Sequence, residues 1–171
     1  MVRRLTVSLV ILALMAGIAV SQSTMPQKQS QMAESPQRVK FDPTRDSEKD
    51  LKDAIALASK EGKNIMLDVG GEWCSWCHKL DAFFEKNTDA GKLLHENYVV
   101  VKINFSKENK NEKFLAKYPE IKGYPHLFVL DGTGKLLHSQ DTGLLEDDAH
   151  RAHDHDRIVA FLKKWAPVRD I

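Results

Sequence analysis

Residues 64–80 read "NIMLDVGGEWCSWCHKL", and the reading of Cys74 and Cys77 within this stretch decides the fold. "NIMLDV" (64–69) is a short apolar run, the pattern of a buried strand. Cys77, Leu80 and Phe84 then fall on one face at helical spacing, so a helix opens near Cys74. These are the only two cysteines of the chain, and their spacing fits two chemistries. Cys74-x-x-Cys77 alone reads as a redox-active dithiol, while adding His78 completes the pattern for covalent attachment of a c-type haem. A pair so close in sequence closes too small a loop to staple a fold, because the stabilisation grows with loop length. A catalytic pair is favoured over a structural bridge.

Working outward, the remaining elements are readable from periodicity. Ser47 with Asp50 resembles a capping box, and Leu51, Ala54, Ile55 and Ala58 recur at helical spacing up to a stop at Gly62. A short helix around 91–96 leads into "YVVVKINF" (98–105), a second buried strand, and "NEKFLAKY" (111–118) reads as helical. "HLFVL" (126–130) and "KLLHSQ" (135–140) are strands joined by the turn "DGTG", and "DRIVAFLKKW" (156–165) is an amphipathic helix. Helices interspersed with strands in this order place residues 41–171 in the α/β class, with a central mixed sheet flanked by helices.

The first forty residues are of another kind. Arg3 and Arg4 precede an uncharged apolar stretch from Leu5 to Val20, followed by the small-x-small site Ala19-Val20-Ser21. That is the layout of a secretory signal peptide over residues 1–21. The apolar stretch is shorter than the roughly 20 residues that span a bilayer, so cleavage is expected rather than anchoring. Residues 22–40 are rich in Gln, Ser and Pro and poor in large apolar residues, and read as a flexible linker. The chain of 171 residues has a formal charge of +1, which gives no reason to expect a nucleic-acid partner. Export to the periplasm or beyond suits a cysteine pair, since disulfides persist outside the cytosol.

Here the chain resembles the thioredoxin superfamily, over about residues 45 to 166. A buried strand, an acid, a turn and Trp-Cys-x-x-Cys opening a helix follow one another in "NIMLDVGGEWCSWCHKL". Asp68, six residues before Cys74, matches the buried aspartate of that family, and Lys102 in "VVVKIN" matches the lysine that approaches it. "IKGYPHLFVL" matches the loop with a cis proline, here Pro125, and Gly143 matches a glycine after the last strand. Two features depart from the pattern: the dipeptide Ser75-Trp76 between the cysteines, and extra residues between Gly143 and Ile158. The haem reading gives no role to Asp68, Lys102 or Tyr124-Pro125, and it is set aside.

The resemblance implies a thioredoxin fold and thiol–disulfide exchange through Cys74 and Cys77, without a cofactor or metal. Cys74 would attack and Cys77 would resolve, with Asp68 taking a proton, Lys102 offsetting the buried carboxylate and Pro125 presenting the substrate backbone. Trp73, Trp76 and Tyr124 would form the substrate-binding rim. The expected partners are protein disulfides and a thiol electron donor, which could be membrane-bound, with the chain itself a monomer. The competing class is a thioredoxin-fold binding module, a chaperone or metal carrier whose cysteines hold a ligand. His78 reads as a partly exposed polar residue, and the stretch with His150, His153 and His155 as a solvated polar loop rather than a metal site.

Overall fold

The computed structural model describes residues 38–168; the expected signal peptide and most of the expected linker lie outside them. In chain order the elements are α1 (Ser47–Glu61), β1 (Asn64–Gly70), α2 (Ser75–Lys86), α3 (Thr88–Asn97), β2 (Tyr98–Asn104), α4 (Glu112–Leu115), β3 (His126–Leu130), β4 (Leu136–Asp141), a 3-10 turn (Thr142–Leu145) and α5 (His155–Lys164). The strands form one mixed sheet in the order β2-β1-β3-β4, with β1 parallel to β2 and antiparallel to β3. Every residue of β1 and β3 is buried, because helices cover both faces of the sheet. This is the α/β arrangement of a mixed sheet between helices that the sequence implies.

The two faces carry separate cores, as strand alternation requires. Met66, Leu127 and Val129 pack with Leu80 of α2, Leu94 of α3 and Ile158, Phe161 and Leu162 of α5. On the other face Ile65, Leu67, Val69 and Phe128 pack with Ala54 and Ala58 of α1 and Phe114 of α4. Asp68 and Gly70 therefore share the α2 face with Met66. The parallel register puts Asp68 opposite Lys102, so topology alone brings acid and base side by side.

Local chemistry moves several boundaries. The α1 cap is Asp46, not a Ser47/Asp50 box: the Asp46 carboxylate accepts from the backbone N–H groups of Glu48 and Lys49. Asp50 is occupied instead by the Arg45 guanidinium. Gly62 ends α1 at a φ of +63°, in the left-handed region that glycine adopts without strain. Helix α3 is longer than expected, and α4 is far shorter than the 111–118 run. Tyr118 precedes Pro119, a position that disfavours helical backbone, and the segment closes as isolated turns after Leu115. Among the described residues no helix is long and apolar enough to cross a membrane.

Candidate active site

Cys74 is the N-cap of α2, and Cys77 lies one turn in. They are joined as a disulfide, with their Cα atoms 5.3 Å apart. The Cys74 Sγ accepts the backbone N–H of Cys77 at 3.1 Å, so this sulfur faces the unpaired amides and positive end of the helix. The same amides would stabilise a thiolate at Cys74, whereas Cys77 has no such position. Both sulfurs are sheltered, Cys74 with 4% and Cys77 with 0% of its surface exposed.

Shelter comes from two directions. Gly70 leaves room for the Cys77 sulfur on the sheet side, where a Cβ would lie 2.4 Å from Sγ. Phe41, 2% exposed, packs against both cysteines from the segment that enters the domain. Its backbone N–H donates to Glu72 Oε1 at 2.9 Å, which seats the segment over the active-site turn.

A chain of charges runs from Asp68 on β1 to Glu72 in the turn before Cys74. Lys102 Nζ lies 2.6 Å from Asp68 Oδ2 and also bonds Asp81 Oδ1. Arg38 then bridges Asp81 at 2.7 Å and Glu72 at 2.5 Å. Asp68 is almost fully buried and its Oδ1 accepts no hydrogen bond among the described residues. Burial pushes the Asp68 carboxyl above the usual carboxylate range, with Lys102 opposing most strongly. For Lys102 burial is the largest influence and works downward, but the two carboxylates together hold its pKa up. A buried carboxyl with a raised pKa and an oxygen left without a partner is suited to accepting and returning a proton.

The expected rim divides in two. Trp73 is 59% exposed; its indole N–H donates to the Phe105 carbonyl at 2.6 Å, and its ring meets Tyr124 edge-on at 5.6 Å. Tyr124 in turn stacks on Phe105 at 4.8 Å. Trp76 turns the opposite way, edge-on to His153 at 5.3 Å, with Lys79 Nζ 3.7 Å from its ring centroid. Trp76 is half-buried rather than exposed. The Tyr124–Pro125 peptide bond is cis, and the Pro125 carbonyl accepts the Thr142 hydroxyl at 2.5 Å.

His78 is engaged by the active-site turn: its Nε2 sits 2.9 Å from the Glu72 carbonyl oxygen. The histidine-rich stretch is not a solvated loop throughout. A bridge pairs Glu146 with His153, Asp147 N–H donates to Ala152 O and Asp154 N–H to Leu145 O, which closes a tight hairpin-like loop. His153 is buried against Trp76 and Phe83, while His150 pairs with Glu146 and His155 with Asp89. The three rings diverge, and no metal-binding group of three or more His, Cys, Asp or Glu forms among the described residues.

Sequence reading overlooked Arg38, Phe41, Glu72, Asp81 and Phe105. Asp81 carried a signal, one helical turn beyond Cys77 on the inward face of α2. Arg38 carried none, since its composition assigned it to the linker.

A disulfide whose outer sulfur caps a helix and whose inner sulfur rests on a buried strand defines a thiol–disulfide oxidoreductase site. The chain belongs to the thioredoxin-like family, which it matches over residues 46–132. It is 27% identical over 103 residues to the thiol:disulfide interchange protein DsbD of Salmonella typhi, and 28% identical over 104 residues to that of Escherichia coli K12. The match covers 60% of this chain but only 18% of those proteins. Among solved structures, a disulphide isomerase from Xylella fastidiosa is similar with a TM-score of 0.63 and 25% identity, over 75% of this chain and 97% of that one. The oxidised C-terminal domain of Neisseria meningitidis DsbD shares the fold, with a TM-score of 0.53, 18% identity and coverage of 74% and 99%.

Proposed function

We propose that the chain reduces disulfides of exported proteins through Cys74 and Cys77. The observation that carries this reading is the Cys74 sulfur at the α2 N-cap, accepting the Cys77 N–H, with the buried Asp68 on the strand whose Gly70 packs against Cys77. In the reduced state the Cys74 thiolate attacks one sulfur of a substrate disulfide. A new S–S bond forms, the second substrate sulfur leaves as a thiolate, and it takes a proton from solvent. Asp68 then accepts the Cys77 proton, and the Cys77 thiolate attacks Cys74 Sγ. The substrate departs as a dithiol and the chain as the Cys74–Cys77 disulfide. Two electrons from a thiol donor, soluble or membrane-bound, restore the dithiol.

Lys102 keeps the cost of the Asp68 anion low enough for that proton to move both ways. The cis Tyr124–Pro125 peptide offers backbone groups to an extended substrate, and Trp73 with Tyr124 and Phe105 offers it an apolar face. Trp76 belongs to the chain's own packing more than to the substrate's. The Arg3-Arg4 start and the Ala19-Val20-Ser21 site support export.

Direction follows from charge. Carboxylates close to the dithiol oppose thiolate formation, which favours the disulfide and lowers the potential, and Ser75-Trp76 brings no positive charge. Nor do the 21 residues between Lys102 and Tyr124 leave room for the helical domain that oxidants of this superfamily carry there. Equilibration with glutathione should give a potential nearer thioredoxin's, about −270 mV, than the roughly −120 mV of strong oxidants. A value above about −180 mV would overturn the reductant assignment. Failure to accelerate insulin reduction by a small thiol would overturn exchange altogether and leave a binding module.

A further inference from the structure

We propose that Arg38 is a positioning residue for the dithiol: by holding Asp81 from the side opposite Lys102, it sets how much of the lysine's charge remains for Asp68. The proposal rests on reading Cys74 and Cys77 as an exchange site.

The geometry is an alternating row, Asp68, Lys102, Asp81, Arg38 and Glu72, linked contact by contact. With all three carboxylates ionised, three anions share two cations and the row carries one negative charge in excess. Lys102 is shared between Asp68 and Asp81. Arg38 is what allows it to be shared, because the guanidinium offers Asp81 a second partner on its other oxygen. Without Arg38 the excess doubles and Lys102 alone must serve both inner carboxylates. The charged groups acting on Asp68 from the elements around it are Lys102 on β2, Asp81 on α2 and Arg38 in the entering segment, and Gly70, two residues further along the same strand face, packs against the Cys77 sulfur. His126 lies on the other face of the sheet. Among influences on the Asp68 carboxyl burial is largest, Lys102 opposes it, Asp81 adds to it and Arg38 opposes it.

Arg38 reaches the row from outside the sheet and helices that form the site. Three residues later Phe41 seats on the dithiol and its N–H binds Glu72, the same carboxylate that Arg38 holds. The entering segment is thus fixed at both ends of a single turn of charge, beside the sulfurs. Its arginine is only a quarter exposed on its side chain, so the charge is poorly screened by solvent.

The test is the pH profile of thiol alkylation by iodoacetamide in the reduced full chain, with thermal melts in parallel. Arg38→Met should move the Cys74 midpoint to higher pH by about one unit, roughly a tenfold loss of thiolate below it. Arg38→Lys should keep the wild-type midpoint, and in an Asp81→Asn background the Arg38→Met shift should vanish. Arg38→Gln supplies the same reading should the methionine variant not fold. A profile that superposes on the wild type while only the melting temperature falls would reduce Arg38 to a structural clamp. An undiminished shift in the Asp81→Asn background would overturn the route through Asp81. Insulin reduction by the wild type is scored separately: its failure would remove the exchange reading, whereas the alkylation profile reports on Arg38 either way.

Discussion

Gly70 lies against Cys77 so closely that a methyl group would not fit: a Cβ on Gly70 would stand 2.4 Å from the cysteine sulfur and 3.0 Å from the Phe41 ring. The glycine is needed for space, not for an unusual backbone. Gly70→Ala should therefore destabilise the oxidised chain by about 1–3 kcal/mol, the usual range for overpacking. Denaturant melts measure this, and an unchanged midpoint would mean that α2 can shift outward without loss.

The two cysteines should differ sharply when replaced one at a time. Cys77→Ser should accumulate mixed disulfides with client proteins, since attack proceeds and resolution does not. Cys74→Ser should trap far fewer. Non-reducing electrophoresis of tagged variants reads the difference, and equal trapping would reverse the assignment of the attacking sulfur.

Asp68→Asn should slow the resolving step by about 100-fold, the scale of a lost general base. Stopped-flow release of a labelled substrate thiol would follow it across pH. Stability should respond in the opposite sense. Because burial raises the Asp68 pKa in the folded chain, its contribution is present at low pH and is lost as pH rises through the folded value. The asparagine variant should lack that loss.

His153 should make the fold sensitive to acid. Burial pushes its pKa down, against weaker pulls from the Trp76 backbone and Glu146. A histidine with a lowered folded pKa stabilises above its unfolded value, about 6.5, and that contribution is lost as pH falls through the folded value. His153→Phe keeps an aromatic ring against Trp76 and should flatten the melting temperature between about pH 7 and pH 5. His126, buried and shifted in the same direction, will leave a residual slope.

Processing is checked most directly by mass. Intact-mass measurement on protein recovered from the exporting cell should place the N-terminus at or near Gln22. Recovery of intact Met1 in a membrane fraction would favour an anchor.

The sheet and its dithiol were legible because they rest on local rules. Apolar runs gave β1, β2 and β3, and Cys77, Leu80 and Phe84 gave α2, since period and burial coincide there. Asp68 and Lys102 were paired by resemblance, and the parallel register supplies the physical reason. What escaped was set by long-range contact. No local signal marks Arg38 as the partner of Asp81, 43 positions away. The same holds for His153, whose burial depends on Trp76. Composition describes a segment's average polarity, and a single inward-facing side chain does not move that average. The α1 cap failed differently: Asp46 and Ser47 are both good caps, and in the structure Asp46 accepts the Glu48 and Lys49 N–H groups while Arg45 holds Asp50.

Trp76 and His153 lie 5.3 Å apart, one in the active-site dipeptide and the other in the stretch between the last strand and the last helix. The dipeptide Ser75-Trp76 and the 146–154 loop are therefore a matched set. Grafted alone into a minimal thioredoxin, the Cys-Ser-Trp-Cys sequence would leave an indole with nothing to lean on. Transplanting this redox site to another scaffold means moving two distant pieces of chain together.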